Sequence, residues 1–166
     1  MNYRKLVWKL FSIHKKELSF VVPLFFIYFL SGSFFTVGQI FSETLFLKAY
    51  GAKGYSRFFI QNGFALIAAG ILYNYFIRKV ALHRGYIYIV GIFSTLIISA
   101  SFIVNNNFEW TYFYMYMGNY LATFFLDMHF FNYAFEFLSV RNSKRVLPFL
   151  MSGGKLGGIF TSLIIY

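Results

Sequence analysis

The chain alternates long apolar stretches with short polar breaks, and four stretches carry no charge: Leu18 to Ser42, Phe58 to Ile77, Gly85 to Phe108 and Trp110 to Leu126. Each approaches or exceeds the ~20 helical residues that cross a hydrocarbon layer ~30 Å thick. Runs such as Val21-Val22-Pro23-Leu24-Phe25-Phe26-Ile27 are apolar on every side, whereas barrel strands alternate apolar and polar residues. Only helices and closed barrels satisfy their backbone groups in lipid, so this pattern predicts helices. The expected fold is an all-α polytopic membrane protein with about five transmembrane helices, near residues 18–46, 58–77, 85–104, 110–138 and 146–166. Residues 1–16 form a basic segment ahead of a partial transmembrane domain over 17–166.

The breaks refine this picture. Pro23 and the cluster Ser31-Gly32-Ser33 predict a tilt or bend in the first helix. Gly51 and Gly54 supply turn formers in a Lys48 to Arg57 loop, and Asn105-Asn106-Asn107 makes a polar turn. Trp110, Tyr112, Tyr114 and Tyr116 match an aromatic belt at the outer interface. The fifth helix carries Pro148 in its first turn and runs to Tyr166, so it is expected to end at or within the far leaflet, as in a truncated product, a fragment, or a chain whose remaining helices come from elsewhere. In Met1 to Lys16, Leu6, Val7, Leu10 and Phe11 fall at helical spacing among Arg4, Lys5, Lys9, Lys15 and Lys16. Both a helix lying on anionic lipid and a basic flank that only fixes orientation fit this segment.

Composition agrees, with 59% apolar and 12% charged residues against the roughly 25% charged of an average soluble domain. The net charge of +10 does not form one basic surface, which argues against nucleic-acid binding. Basic residues instead fall on alternate loops: the N-terminal segment, Arg78, Lys79 and Arg84, then Arg141, Lys144 and Arg145. The opposite loops hold only Lys48, Lys53 and Arg57, which places the N-terminus in the cytoplasm of an inner-membrane protein. The first apolar run is too long for a cleaved signal and no small-residue cleavage site follows it. No cysteine is present, so disulfides and thiolate metal sites are excluded.

Ionisable groups inside a bilayer cost several kcal/mol and call for a compensating role. Asp127 lies roughly 21 Å along a helix from Arg141, and Lys155 roughly 15 Å from Arg145, at 1.5 Å per residue. Both therefore fall near mid-membrane and could pair. His129, Asn132 and Glu136 share one narrow helical stripe at about 0°, 300° and 340°, with Asp127 on the other side. That stripe either lines a substrate or proton pathway or ties packed helices together. Glu136 is positioned to pair with Arg141 at the cytoplasmic edge, and Glu43 to lie near Lys48.

The stretch from Met151 to Gly158 superficially resembles a phosphate-binding loop, but Phe149 and Leu156 stand where that loop needs Gly and Ser or Thr. Its glycines instead make two overlaid G-x-x-x-G pairs, Gly153 with Gly157 and Gly154 with Gly158, a pattern for close helix approach in lipid. His14, His83 and His129 lie in separate segments, and no serine, histidine and carboxylate arrangement or metal-ligand spacing is visible. An enzyme, a metal or a cofactor therefore has no support in the sequence.

Gly70, Leu72, Arg78 and Lys79 resemble the G-x-L-x-D-R-x-G-R-K loop of the major facilitator superfamily, with Asn74, Tyr75 and Ile77 replacing its Asp, Arg and second Gly. That resemblance implies a cytoplasmic gating loop of Gly70, Arg78, Lys79, Glu136 and Arg141. Phe46-Leu47-Lys48-Ala49-Tyr50, the run around Phe130-Phe131-Asn132, and Asn142-Ser143-Lys144-Arg145 resemble the bacterial and plastid ATP/ADP translocase family. Its fold is similar, and cationic residues within its helices face an anionic nucleotide; Lys155 is the corresponding candidate. Together the resemblances imply the first helices of a secondary transporter of nucleotides or other organic anions, with substrate contacts at Lys155, Asp127, His129 and Asn132. The remaining helices would come from the same or another chain. A membrane anchor or sensor serving a soluble domain is the alternative.

Overall fold

The computed structural model describes residues 17–104 and 109–165. The basic N-terminal segment, the Asn105 to Asn107 turn and Tyr166 lie outside the described residues. Four helices account for almost all of the rest: α1 (Leu18–Ile77), α2 (Leu82–Val104), α3 (Glu109–Phe137) and α4 (Val140–Ile165). Two helical segments, Leu18–Ile77 and Asn142–Ile165, are long and apolar enough among the described residues to cross a membrane. Sequence pattern suggests about five such segments, and the difference begins with α1, which runs through both the first and the second of them.

Within α1 the only residue with non-helical backbone angles is Gly51, at φ 62° and ψ −176°. That region is open to glycine alone. Phe46 and Phe58 pack with ring centroids 5.3 Å apart, although twelve residues of straight helix would separate them by roughly 18 Å. The chain thus doubles back at Gly51, and α1 consists of two helical arms. The expected ten-residue loop reduces to a single glycine, while Gly54 stays helical and packs on Tyr50 and Phe46. Pro23 is accommodated in the first arm, and Ser31-Gly32-Ser33 makes no break there.

Contacts divide the chain into two compact units, one made of residues 1–37 and 133–166 and the other of Gly38–Asn132. In the first unit α1 and α4 meet through glycine. A Cβ on Gly32 would run into the Gly154 carbonyl, one on Gly157 into the Phe29 carbonyl, and one on Gly153 would lie 2.9 Å from the Phe25 carbonyl oxygen. The expected G-x-x-x-G pairs therefore do pack a neighbouring helix. Ser33 Oγ donates to the Gly157 carbonyl at 3.1 Å, and Phe25 stacks on Phe149 at 4.8 Å. Arg145 closes the unit with two hydrogen bonds to Glu17, at 2.7 and 2.9 Å. Ser139 caps α4, its Oγ accepting from the Asn142 amide at 3.4 Å.

In the second unit the two arms of α1 close on α3 through an aromatic core of Phe46, Phe58 and Tyr116, each at most 1% exposed. Tyr116 lies 4.3 Å from Phe58 and 4.9 Å from Phe46, centroid to centroid. It thus belongs to the core rather than to an interfacial belt, whereas Trp110 and Tyr114 are exposed. The turn at Gly51 also brings Tyr55 to Glu43, the hydroxyl donating to the carboxylate; Glu43 takes its partner from the second arm.

Polar side chains share the interior with apolar ones, and many large apolar side chains are exposed. Ser42, Asn62, Thr111, Asn119, His129 and Thr161 are buried, while Phe64, Ile71, Ile87, Phe102 and Leu163 are each about 70% exposed. Large apolar side chains exposed in this number within each unit mark surfaces that meet something other than water.

Three glycines separate the causes of this architecture. Gly157→Val should lower stability by ~1–3 kcal/mol through overpacking, and Gly51→Ala by a similar ~1–3 kcal/mol through backbone strain alone, since a Cβ there meets nothing within 4 Å. Gly63→Ala, helical and equally open, should be neutral or gain up to ~1 kcal/mol. Thermal unfolding in detergent micelles measures all three.

Candidate functional site

Residues of α3 within the Gly38–Asn132 unit face two ways. Asn119, Thr123 and Asp127, spaced four apart, share one face with Tyr120 and Phe124, also four apart. All five line a partly open cavity of about 210 Å³, to which the two arms of α1 add Gln39 and Leu66. The turn at Gly51 is what brings Gln39 and Leu66 to one place. Asn119 is seated tightly, since a Cβ on Gly38 would lie 2.5 Å from its Oδ1. Thr123 donates to the Asn119 carbonyl at 2.9 Å, which leaves its hydroxyl lone pairs available. No lysine, arginine or histidine lines the cavity among the described residues.

The other face of α3 carries His129, 1% exposed. Its Nε2 lies 2.6 Å from the Leu82 carbonyl at the start of α2, and a carbonyl only accepts, so Nε2 holds a proton. Its Nδ1 lies 3.2 Å from the Tyr73 hydroxyl, which in turn accepts from Asn132 Nδ2 at 2.9 Å. One arrangement satisfies every group: Asn132 donates to Tyr73, Tyr73 to Nδ1, and Nε2–H to Leu82. The network ties the second arm of α1, the start of α2 and the end of α3 together. Gly85 leaves room for it, because a Cβ there would lie 2.5 Å from the imidazole Cε1.

Of the residues expected to meet substrate, the structure brings His129 and Asn132 together on Tyr73 and commits both to hydrogen bonds between helices. Asp127 lines the cavity on the opposite face of α3, as helical geometry predicts. Lys155 belongs to the other unit, is exposed on α4 beside exposed Met151 and Ile159, and has no hydrogen-bond or ion-pair partner among the described residues. Of the expected gating loop, Arg78 and Lys79 are exposed just beyond the end of α1. Lys79 folds back on Tyr75, donating to its hydroxyl and lying 4.2 Å from its ring centroid. Gly70 faces Phe124, whose Cζ would lie 3.8 Å from a Cβ there. Glu136 is exposed, and the Arg141 side chain lies outside the described residues; the ion pair that forms at this end of α4 is Glu17 with Arg145.

Sequence reasoning missed Tyr73, Gly85 and Glu17. Tyr73 sits in an unbroken apolar run and gives no signal of its own. Glu17 offered one, as the first of only five acidic residues in the chain, at the edge of the first apolar run.

The chain matches no protein-family model, no curated protein and no solved structure.

Tyr73→Phe should cost ~1–3 kcal/mol by leaving His129 Nδ1 and Asn132 without their shared partner. A double-mutant cycle with Asn132→Ala should then give a coupling of at least ~0.5 kcal/mol. Strict additivity of the two substitutions would remove the bridge from the account.

Proposed function

We propose that this chain is a multi-pass protein of the inner membrane, N-terminus in the cytoplasm, forming the first part of a secondary transporter of the major facilitator type for an organic anion such as a nucleotide. The observation that carries the membrane reading is the number of large apolar side chains left exposed, while several amides, hydroxyls and an imidazole are buried. The doubling back at Gly51 supports about five crossings, because each arm of α1 exceeds the ~20 residues a crossing needs. The helices α2, α3 and α4, of 23, 29 and 26 residues, are long enough for the other three.

The anionic solute is assigned through Lys155. A lysine on an apolar helix face, with exposed Met151 and Ile159 one turn to either side, requires a polar neighbour in a membrane. Further helices enclosing a solute path supply one. The second reading, a membrane anchor or sensor for a soluble domain, is favoured by His129 and Asn132, whose hydrogen bonds are spent on holding helices together.

Lys155→Ala in the full protein should reduce uptake of labelled ATP or another organic anion more than it reduces the amount of protein in the membrane. Equal losses would leave Lys155 a structural role and favour the anchor. Topology is tested on the naturally cysteine-free chain. A single cysteine at exposed Lys53 should react with a membrane-impermeant maleimide in intact cells, and one at exposed Lys144 only with a permeant reagent. The reverse pattern would invert the orientation.

A further inference from the structure

We propose that the cavity between the arms of α1 and α3 binds a small uncharged amide: a planar carboxamide or lactam on an aromatic body, of about nine heavy atoms in all. Asn119 carries the argument. It is 6% exposed and lines the cavity, yet its carboxamide makes no hydrogen bond among the described residues; the bond from Thr123 goes to its backbone carbonyl. Buried side-chain polar atoms are as a rule hydrogen-bonded, so a bare amide in a cavity wall points to what the cavity takes. A carboxamide presents an acceptor oxygen beside two N–H donors. The group that answers both at once is another amide, donating to Oδ1 while its carbonyl accepts from Nδ2. Gly38 leaves the room this position needs, because a Cβ there would lie 2.5 Å from Oδ1.

The rest of the lining sets charge, body and size. Burying an ion without a countercharge is costly, and the wall offers none: no lysine, arginine or histidine lines the space among the described residues, and Asp127 already interacts within the chain. Thr123 Oγ, its proton given to the Asn119 carbonyl, accepts the second N–H of the ligand amide. Tyr120 and Phe124, one turn apart on α3, supply rings against which a planar body packs. Leu66 adds apolar surface, and exposed Gln39 marks the open side. A cavity of about 150 Å³ accommodates benzene, so about 210 Å³ takes a ring with a carboxamide arm. This site is separate from Lys155, and binding is read without flux, so it stands or falls apart from the transport reading.

Isothermal titration of the whole chain in detergent micelles tests it, with benzamide as the probe. Acetophenone has the same shape without the amide N–H groups, and benzoate is the charged counterpart. Benzamide should bind saturably, at least about fivefold more tightly than acetophenone and at least about tenfold more tightly than benzoate. Asn119→Leu should weaken benzamide about tenfold and bring it within about twofold of acetophenone. Should that variant unfold, Thr123→Val provides the second reading, with benzamide weakened about three- to tenfold and acetophenone unchanged. Equal binding of amide and ketone would make the cavity merely apolar, and benzoate bound as tightly as benzamide would make it an anion site. Either result, a selectivity that survives Asn119→Leu, or no saturable benzamide binding to the folded protein, overturns the proposal.

Discussion

The reversal at Gly51 is the constraint on which the Gly38–Asn132 unit depends. A 60-residue helical run with one non-helical residue would otherwise extend roughly 90 Å and bury nothing against itself. Because the chain doubles back there, Phe46 can pack against Phe58, Tyr55 can reach Glu43, and Gln39 and Leu66 can border one cavity. The reversal needs a backbone conformation reserved for glycine, so the aromatic core and the cavity wall rest on one residue that touches neither.

The other unit solves the association problem differently. Between apolar helices in lipid the hydrophobic effect supplies no drive, and contact must come from close packing and hydrogen bonds. The glycines of α4 let its backbone settle onto α1 so closely that carbonyl groups take the places of side chains, and Ser33 then bonds directly to the Gly157 carbonyl. The aromatic stack of Phe25 on Phe149 and the Glu17 to Arg145 pair complete the contact. Here smallness is the specific feature, whereas the Gly38–Asn132 unit depends on bulk and on a polar bridge.

What the sequence revealed follows this division. The helical class was legible because long runs that are apolar on every side fit helices and not alternating strands, whereas the joining of the first two apolar runs at Gly51 was not; the Gly153 to Gly158 pattern was legible because close approach needs small residues at fixed spacing. The split of α3 into an Asp127 face and a His129 face followed from 100° per residue. Contacts between distant segments were not legible. Nothing in an apolar run distinguishes Tyr73 as the hydroxyl that bridges Asn132 and His129, and nothing near Tyr116 separates a buried ring from an interfacial one. Ser31-Gly32-Ser33 stays helical because small residues serve equally as breaks and as contact surfaces, and α4 lies against Gly32 and Ser33.

The tightness of the Gly51 turn also bears on how the chain would enter a bilayer. Two arms joined by one residue, with Tyr55 within reach of Glu43, have their mutual contacts close together in sequence, the kind that form fastest. In the proposed topology they would insert together as a hairpin, its tip carrying Lys48, Lys53 and Arg57 to the far side. The cost of moving those cations would fall on the pair of arms jointly, and the apolar surface of both would be available to meet it.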